Sequence, residues 1–232
     1  MATMKYIDFK DLISMLKVIA DECYWHFMED GLNIRVVDYT NVALIDLTVP
    51  TSAFEVYKES QFDFKVDIEK VKKFTDMTYG YVEIKHVDDK NNDCDMLIFT
   101  SGKYSFKLNQ IEGELKKEPN VPSLKLESST IIKGSDMRKF LKSFNDDEKI
   151  KINIKNGSTQ FRINEYFLKT ETGFNGNSIS TYSLGYFKKL FRYVKGDVKF
   201  EMSTDMPCKI NLNLNGIDIG CYMLAPRVET RY

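Results

Sequence analysis

Residues that ordinarily carry covalent or acid–base chemistry are sparse in this chain. Its two histidines, His26 and His86, are far apart, and its four cysteines, Cys23, Cys94, Cys208 and Cys221, form no C-x-x-C pair. Metal ligation and thiol redox chemistry both need such residues at clustered spacings, so the cysteines read as free buried thiols. There is no phosphate-binding glycine loop, no H-E-x-x-H and no nucleophile elbow. The run VDDKNNDCD is acidic but lacks the regular oxygen spacing and the glycine of a calcium loop, and reads as an exposed hairpin loop. His26 has no obvious carboxylate partner in sequence, and Trp25 beside it reads as core. No catalytic residue, metal or cofactor is assigned.

What does recur at regular spacing is positive charge. Four segments carry apolar residues at helical intervals: Phe9, Leu12, Ile13, Leu16 and Ile19; Ile68, Val71 and Phe74; Met137, Phe140, Leu141 and Phe144; Leu184, Phe187, Leu190, Phe191 and Val194. On a helical wheel Lys70, Lys73, Lys139, Lys142, Lys189 and Arg192 lie opposite those stripes, with Lys10, Lys17 and Lys72 on the flanks. Over residues 9–20, 66–76, 135–144 and 183–195 the net charges are +1, 0, +2 and +4, a total of +7, which leaves −8 for the rest of a chain of net charge −1. Any one such helix reads as a solvated face. Four of them in an otherwise acidic chain keep nucleic acid open as a partner despite the overall charge.

The remaining pattern must position these helices. Asp8 stands where it could cap the first and Ser135 where it could cap the third. Asp30-Gly31, Asn156-Gly157 and Asn215-Gly216 each separate alternating runs, which predicts tight hairpins between half-buried antiparallel strands. Strands are expected near 23–29, 31–38 and 41–49 after the first helix, and near 80–87, 94–100 and 103–111 after a helix at 67–76. The pattern returns with a strand at 128–133, a helix at 135–144 and strands near 149–155, 158–164 and 166–172. It closes with a helix at 183–194 and strands near 197–203, 208–214 and 217–224. The chain reads as one β-α-β-β-β unit used four times. GELKKEPNVPSLKLE, with two of the five prolines, reads as a stiffened connector. The expected division is therefore a domain at 1–112, a connector at 113–126 and a domain at 127–232.

At 232 residues with 43% hydrophobic composition, the chain can bury one large core or two small ones. No apolar run approaches a membrane span and the start reads MATMKYIDFKDL, so the expectation is an intracellular protein with no membrane partner.

The stretch DGLNIRVVDYTNVALIDLTVP, the helix VDIEKVKKF, the connector, STDMPCKI and the closing YMLAPRVE together resemble the sliding DNA clamp family, proliferating cell nuclear antigen, in its archaeal form, from about residue 3 to residue 229. The resemblance implies an α+β clamp fold with two similar domains, sheets outside and helices lining a trimeric ring. It implies a processivity factor for DNA polymerase, without catalysis, that encircles double-stranded DNA independently of sequence. A clamp loader would load it, and DNA polymerase, flap nuclease and DNA ligase would be its clients. Carried over residue by residue, the DNA-facing positions are Lys10, Lys17, Lys72, Lys73, Lys139, Lys142, Lys189 and Arg192, while Asp11 and Asp76 stand where some relatives carry lysine. The client-peptide pocket falls on Val37, Asn41, Val42, Leu44, Val121, Leu124, Leu224, Ala225 and Pro226. Subunit pairing falls on edge strands at 103–111 and 166–172, through Lys103, Ser105, Lys107, Tyr166, Leu168 and Thr170. The chain is about a dozen residues shorter than the family leads one to expect, largely within GFNGNSISTYSLGYF, which leaves a heterotrimeric or checkpoint-type clamp subunit as the alternative. Compartment would follow source: cytoplasm or nucleoid in an archaeon, nucleus in a eukaryote.

Overall fold

The computed structural model describes residues 1–58, 61–89, 94–110, 119–155, 157–171 and 176–227. The chain divides into two units, one of Met1–Tyr39, Ile45–Asn120 and Leu214–Gly220, the other of Thr40–Leu44, Val121–Asn213 and Cys221–Tyr232. The expected boundary at residue 112, the first part of the connector, Asn156 and the tip of the VDDKNNDCD run lie outside the described residues.

In the first unit the order is β1 (Ala2–Lys5), α1 (Tyr6–Leu16), β2 (Glu22–Met28), β3 (Gly31–Val37), β4 (Ala43–Pro50), β5 (Val56–Tyr57), β6 (Phe62–Asp67), α2 (Ile68–Thr75), β7 (Tyr81–Asp89), β8 (Cys94–Ser101) and β9 (Tyr104–Asn109). One sheet runs β5-β1-β7-β8-β9, and β4, β3, β2 and β6 are neighbours in another. Strand alternation sends Trp25, Phe27, Phe64, Val66, Ile84, Leu97 and Phe99 inward, all no more than 1% exposed. The expected stripes of α1 and α2 pack into the same core, each residue at most 8% exposed. Phe9 and Phe99 close edge-on around Trp25, with ring centroids at 6.4 and 6.3 Å.

The second unit contains β10 (Ser128–Lys133), α3 (Gly134–Leu141), β11 (Lys149–Lys155), β12 (Ser158–Ile163), β13 (Tyr166–Thr170), β14 (Ser178–Ser183), α4 (Leu184–Phe191), β15 (Asp197–Met202), β16 (Cys208–Leu214) and the end of β17 (Ile217–Leu224). Its sheets follow β13-β12-β11-β14 and β10-β15-β16-β17. Ile150, Ile152, Ile154, Phe161, Phe187, Leu190, Phe191 and Phe200 form the core, none more than 1% exposed. Phe140 and Phe144, expected on the α3 stripe, are only half-buried and meet edge to face at 5.4 Å.

Three local expectations are corrected. Asp8 does not cap α1: the helix begins at Tyr6, and Asp8 sits buried in its first turn. Ser135 does not cap α3, which begins at Gly134; its hydroxyl turns to Asp136 instead, at 3.3 Å. In both cases a strand runs straight into the helix, and the extended backbone of its last residue takes the N-cap place without a side-chain bond. Among the described residues α2 alone has such a bond, Lys70 N–H donating to Asp67 at 2.9 Å. The third concerns Asp30-Gly31. The β2–β3 register pairs Met28 with Gly31, so the turn is Glu29-Asp30 and Gly31 opens the strand. Glycine is needed there at φ +144° because a Cβ would lie 2.1 Å from the Val49 carbonyl oxygen. Asn215-Gly216 does form the expected turn, with φ +50° and +86°. Among the described residues no helix is long and apolar enough to cross a membrane.

Candidate nucleic-acid and partner interface

The basic side chains fall into two sets, because α1 packs on α2 and α3 packs on α4. Those on α1 and α2 are largely engaged. Lys10 Nζ donates to the Tyr6 hydroxyl at 3.0 Å. Lys17 pairs with Asp21 and, at 2.5 Å, with Glu69 across the helix pair. Burial works to lower the Lys17 ammonium, but the bonds from Asp21 and Glu69 overcome it and hold the group above its ordinary pKa. Lys72 pairs with Asp76 at 2.9 Å, and Lys73 is exposed. On α3 and α4, Lys139, Lys142, Lys189 and Arg192 are all exposed, and Lys189 lies 6.0 Å from the Tyr186 ring. Lys188, which the wheel does not single out, folds back to Asp146 at 2.7 Å. That bond comes first among the causes that hold the Asp146 carboxyl below its usual range.

The residues expected to receive a client peptide are only partly gathered. In the second unit the Ala225 N–H donates to the Val42 carbonyl at 2.8 Å and the Arg227 N–H to the Thr181 carbonyl at 2.7 Å, so the tail is held in place through residue 227. Asn41 is exposed at φ +57°, and Val42, Ala225 and Pro226 are half-buried. Leu44 and Leu224 are 8% and 0% exposed, so they lie beneath this surface rather than lining it: the strand pattern carries both into the core. Val121 and Leu124 are half-buried on a segment tied down just beyond them, where the Ser203 hydroxyl donates to the Lys125 carbonyl and accepts from the Glu127 N–H. Val37, in the first unit, is half-buried on the outward-facing side of β3. A cavity of about 580 Å³ in the first unit, lined by residues including His26, Arg35, Asp46 and Asp63, contains none of the expected pocket residues.

The two expected pairing strands are both sheet edges. On β13, Tyr166, Leu168 and Thr170 stand opposite Ile163, Phe161 and Thr159, all buried, so they continue the core face outward. On β9 the core face belongs instead to Phe106 and Leu108, opposite Phe99 and Leu97. Ser105 and Lys107 point the other way, and Lys103 lies in the turn before the strand. Phe106, which the sequence reading missed, stacks at 5.9 Å on Phe99; strict alternation from buried Leu108 would have found it. Ile111 and Thr172, the far ends of the two expected strands, lie outside the described residues.

His26 does have a partner, Asp63, at 2.6 Å from Nδ1, supplied by the neighbouring strand β6. His86 bonds Asp95 at 2.7 Å and stacks on Phe62 at 3.9 Å. Among the described residues no group of three or more His, Cys, Asp or Glu is placed to hold a metal ion.

Residues 5–116 match the family model described as proliferating cell nuclear antigen, N-terminal domain. The chain is 26% identical over 246 residues to a DNA polymerase sliding clamp of Methanoregula boonei, covering 98% of each. It is 27% identical over 250 residues to that of Methanococcus vannielii, covering 99% of each. Residues 5–116 belong to the proliferating cell nuclear antigen family. Among solved structures, the fold of the chain is similar to A. fulgidus PCNA bound to the C-terminal region of FEN-1, with TM-score 0.85, 20% identity and full coverage of both chains. It is also similar to a chain of the PCNA2–PCNA3 complex of Sulfolobus tokodaii, with TM-score 0.80, 19% identity and coverage of 98% and 99%. At that identity the likeness is one of fold, and the clamp fold is the α+β arrangement expected from the sequence.

Proposed function

We propose that the chain is a DNA polymerase sliding clamp, a processivity factor that encircles duplex DNA as a trimeric ring and tethers replication and repair enzymes. The observation that carries the reading is the placement of +7 on four helical segments of a chain whose net charge is −1. A sliding protein needs charge that meets phosphates and no base-edge contact that would pin it to a sequence. Its DNA-facing side chains are Lys10, Lys17, Lys72, Lys73, Lys139, Lys142, Lys189 and Arg192. The core-facing edges of β9 and β13 suit a head-to-tail contact that closes after three copies. The protein works inside the cell without chemistry of its own and depends on a clamp loader.

The clients proposed are DNA polymerase, flap nuclease and DNA ligase, through short peptide motifs. That the A. fulgidus relative was solved with the C-terminal region of FEN-1 supports this for the nuclease. The receiving surface is Asn41, Val42, Ala225 and Pro226, with Val121 and Leu124 as further contacts and Leu44 and Leu224 as the layer beneath. Val42→Asp with Ala225→Asp places charge where an apolar plug would sit, and the expected result in a peptide titration is at least a tenfold loss of affinity. Unchanged affinity would move the client site elsewhere. Light scattering behind a sizing column tests the ring: a mass near 81 kDa, three times the 27.0 kDa chain, is expected. A mass of 27.0 kDa at every concentration would refute self-pairing and favour a heterotrimeric subunit.

A further inference from the structure

We propose that the grip on DNA is divided unequally within each subunit: α3 and α4 hold the phosphates, while Asp21 and Glu69 occupy Lys17, Asp76 occupies Lys72, and the face of α1 and α2 is kept close to neutral. The inference rests on the clamp reading and concerns three carboxylates that reading leaves without a role.

The charge balance comes first. Segments 9–20 and 66–76 together carry +1, whereas 135–144 and 183–195 together carry +6. Counting the bonded acids just outside the segments, Asp21 on Lys17 and Asp146 on Lys188, brings the first pair to zero and the second to +5. The side-chain geometry points the same way. Lys17 is held between Asp21 and Glu69, and Lys72 by Asp76. Asp76 and Asp11 also act electrostatically on Lys10. Lys139, Lys142 and Arg192 are exposed and form no ion pair among the described residues; Asp146 acts electrostatically on Lys189 and Arg192 without bonding either.

An ammonium with a carboxylate 2.5 to 2.9 Å away presents a dipole to an approaching phosphate. A dipole's field falls off faster than that of a lone charge, and salt screens what remains. Exposed ion pairs of this kind add little to stability, so their main effect is on the field. Releasing a lysine from its carboxylates would add a counterion-releasing contact, and each such contact steepens the dependence of log K on log salt by about 0.9.

The test measures binding of the full-length protein to a linear mixed-sequence duplex of roughly 40 base pairs by fluorescence anisotropy across a salt series. Asp21, Glu69 and Asp76 are exposed, so D21N/E69Q/D76N keeps their shape while removing three negative charges. It is expected to bind several-fold more tightly at fixed salt and to show a steeper slope. K139A/K142A/K189A/R192A is expected to remove most of the slope, and K10A/K17A/K72A less than half as much. Unimproved binding by the carboxamide variant, or equal losses from the two basic sets, would overturn the unequal division. If neither set alters the slope, the proposed DNA-facing surface itself fails, a different result from equal losses.

Discussion

Tyr166→Ala on the edge strand β13 separates subunit pairing from folding. The side chain is 58% exposed in the single chain and points to the core face, where Phe144 meets it edge-on at 5.6 Å. A tyrosine offers roughly 200 Å², so covering the exposed part with a neighbouring subunit removes about 120 Å² from water, or about 3 kcal/mol at about 25 cal/mol per Å². The hydroxyl reduces the apolar share, which leaves about 2 kcal/mol, a roughly 30-fold weaker contact. Backbone pairing cannot compensate: five residues of β13 offer a handful of hydrogen bonds at about 1 kcal/mol each, comparable to the lowest estimates of the cost of association. A ring of three such contacts loses about 6 kcal/mol, and the half-dissociation concentration of a trimer varies as the square root of its dissociation constant, so in a light-scattering dilution series the midpoint should move up by roughly 160-fold, while the folded chain loses only the Phe144 contact, about 1 kcal/mol. A midpoint within threefold of the parent, in a variant shown to be folded, would refute the placement of Tyr166 in the seam.

Asp67→Ala removes the side-chain cap of α2 and should cost about 1 kcal/mol in a denaturant melt. Burial works to raise the Asp67 carboxyl, and the Lys70 amide and ammonium overcome it, so its pKa lies below the ordinary value in the folded chain. Its stabilisation is therefore complete above the ordinary carboxylate range near pH 4 and is lost as pH falls through the depressed folded value; Asp67→Asn should flatten that part of the pH–stability curve. Burial pushes the Cys23 thiol up to about 12 and raises Cys208 as well. At pH 8 only about one Cys23 in ten thousand is ionised, so peptide mapping after iodoacetamide should find both residues unmodified until the protein is unfolded. Rapid labelling of either in the native protein would contradict their burial.

Legibility from sequence follows the range of the interaction concerned. The stripes of α1, α2 and α4 and the hairpin at Asn215-Gly216 depend on neighbours a few residues apart, and they could be read. Strand β14, SISTYS, is nearly devoid of apolar alternation, yet Ser180 and Thr181 are 3% and 7% exposed. The Ser180 hydroxyl donates to the Ser203 carbonyl and accepts from the Asp205 N–H, partners more than twenty residues away. A serine-rich segment reads as a loop until those partners are known. The same limit hid one of the two carboxylates at Lys17: Asp21 lies four residues along the chain, but Glu69 reaches it only because α1 packs on α2. It also hid the depth of Leu224, whose strand continues into the core while the residue after it turns outward.

Trp25 is the only tryptophan in the chain and is fully enclosed in the first unit. Light at 295 nm excites that one indole and almost nothing else, so its emission follows the loosening of the first core and is blind to the second. Far-ultraviolet circular dichroism, by contrast, sums the amides of both. A melt followed by the two signals together reads out how tightly the halves cooperate: coincident midpoints mean one transition, and a gap between them measures, in degrees, how far each half stands alone.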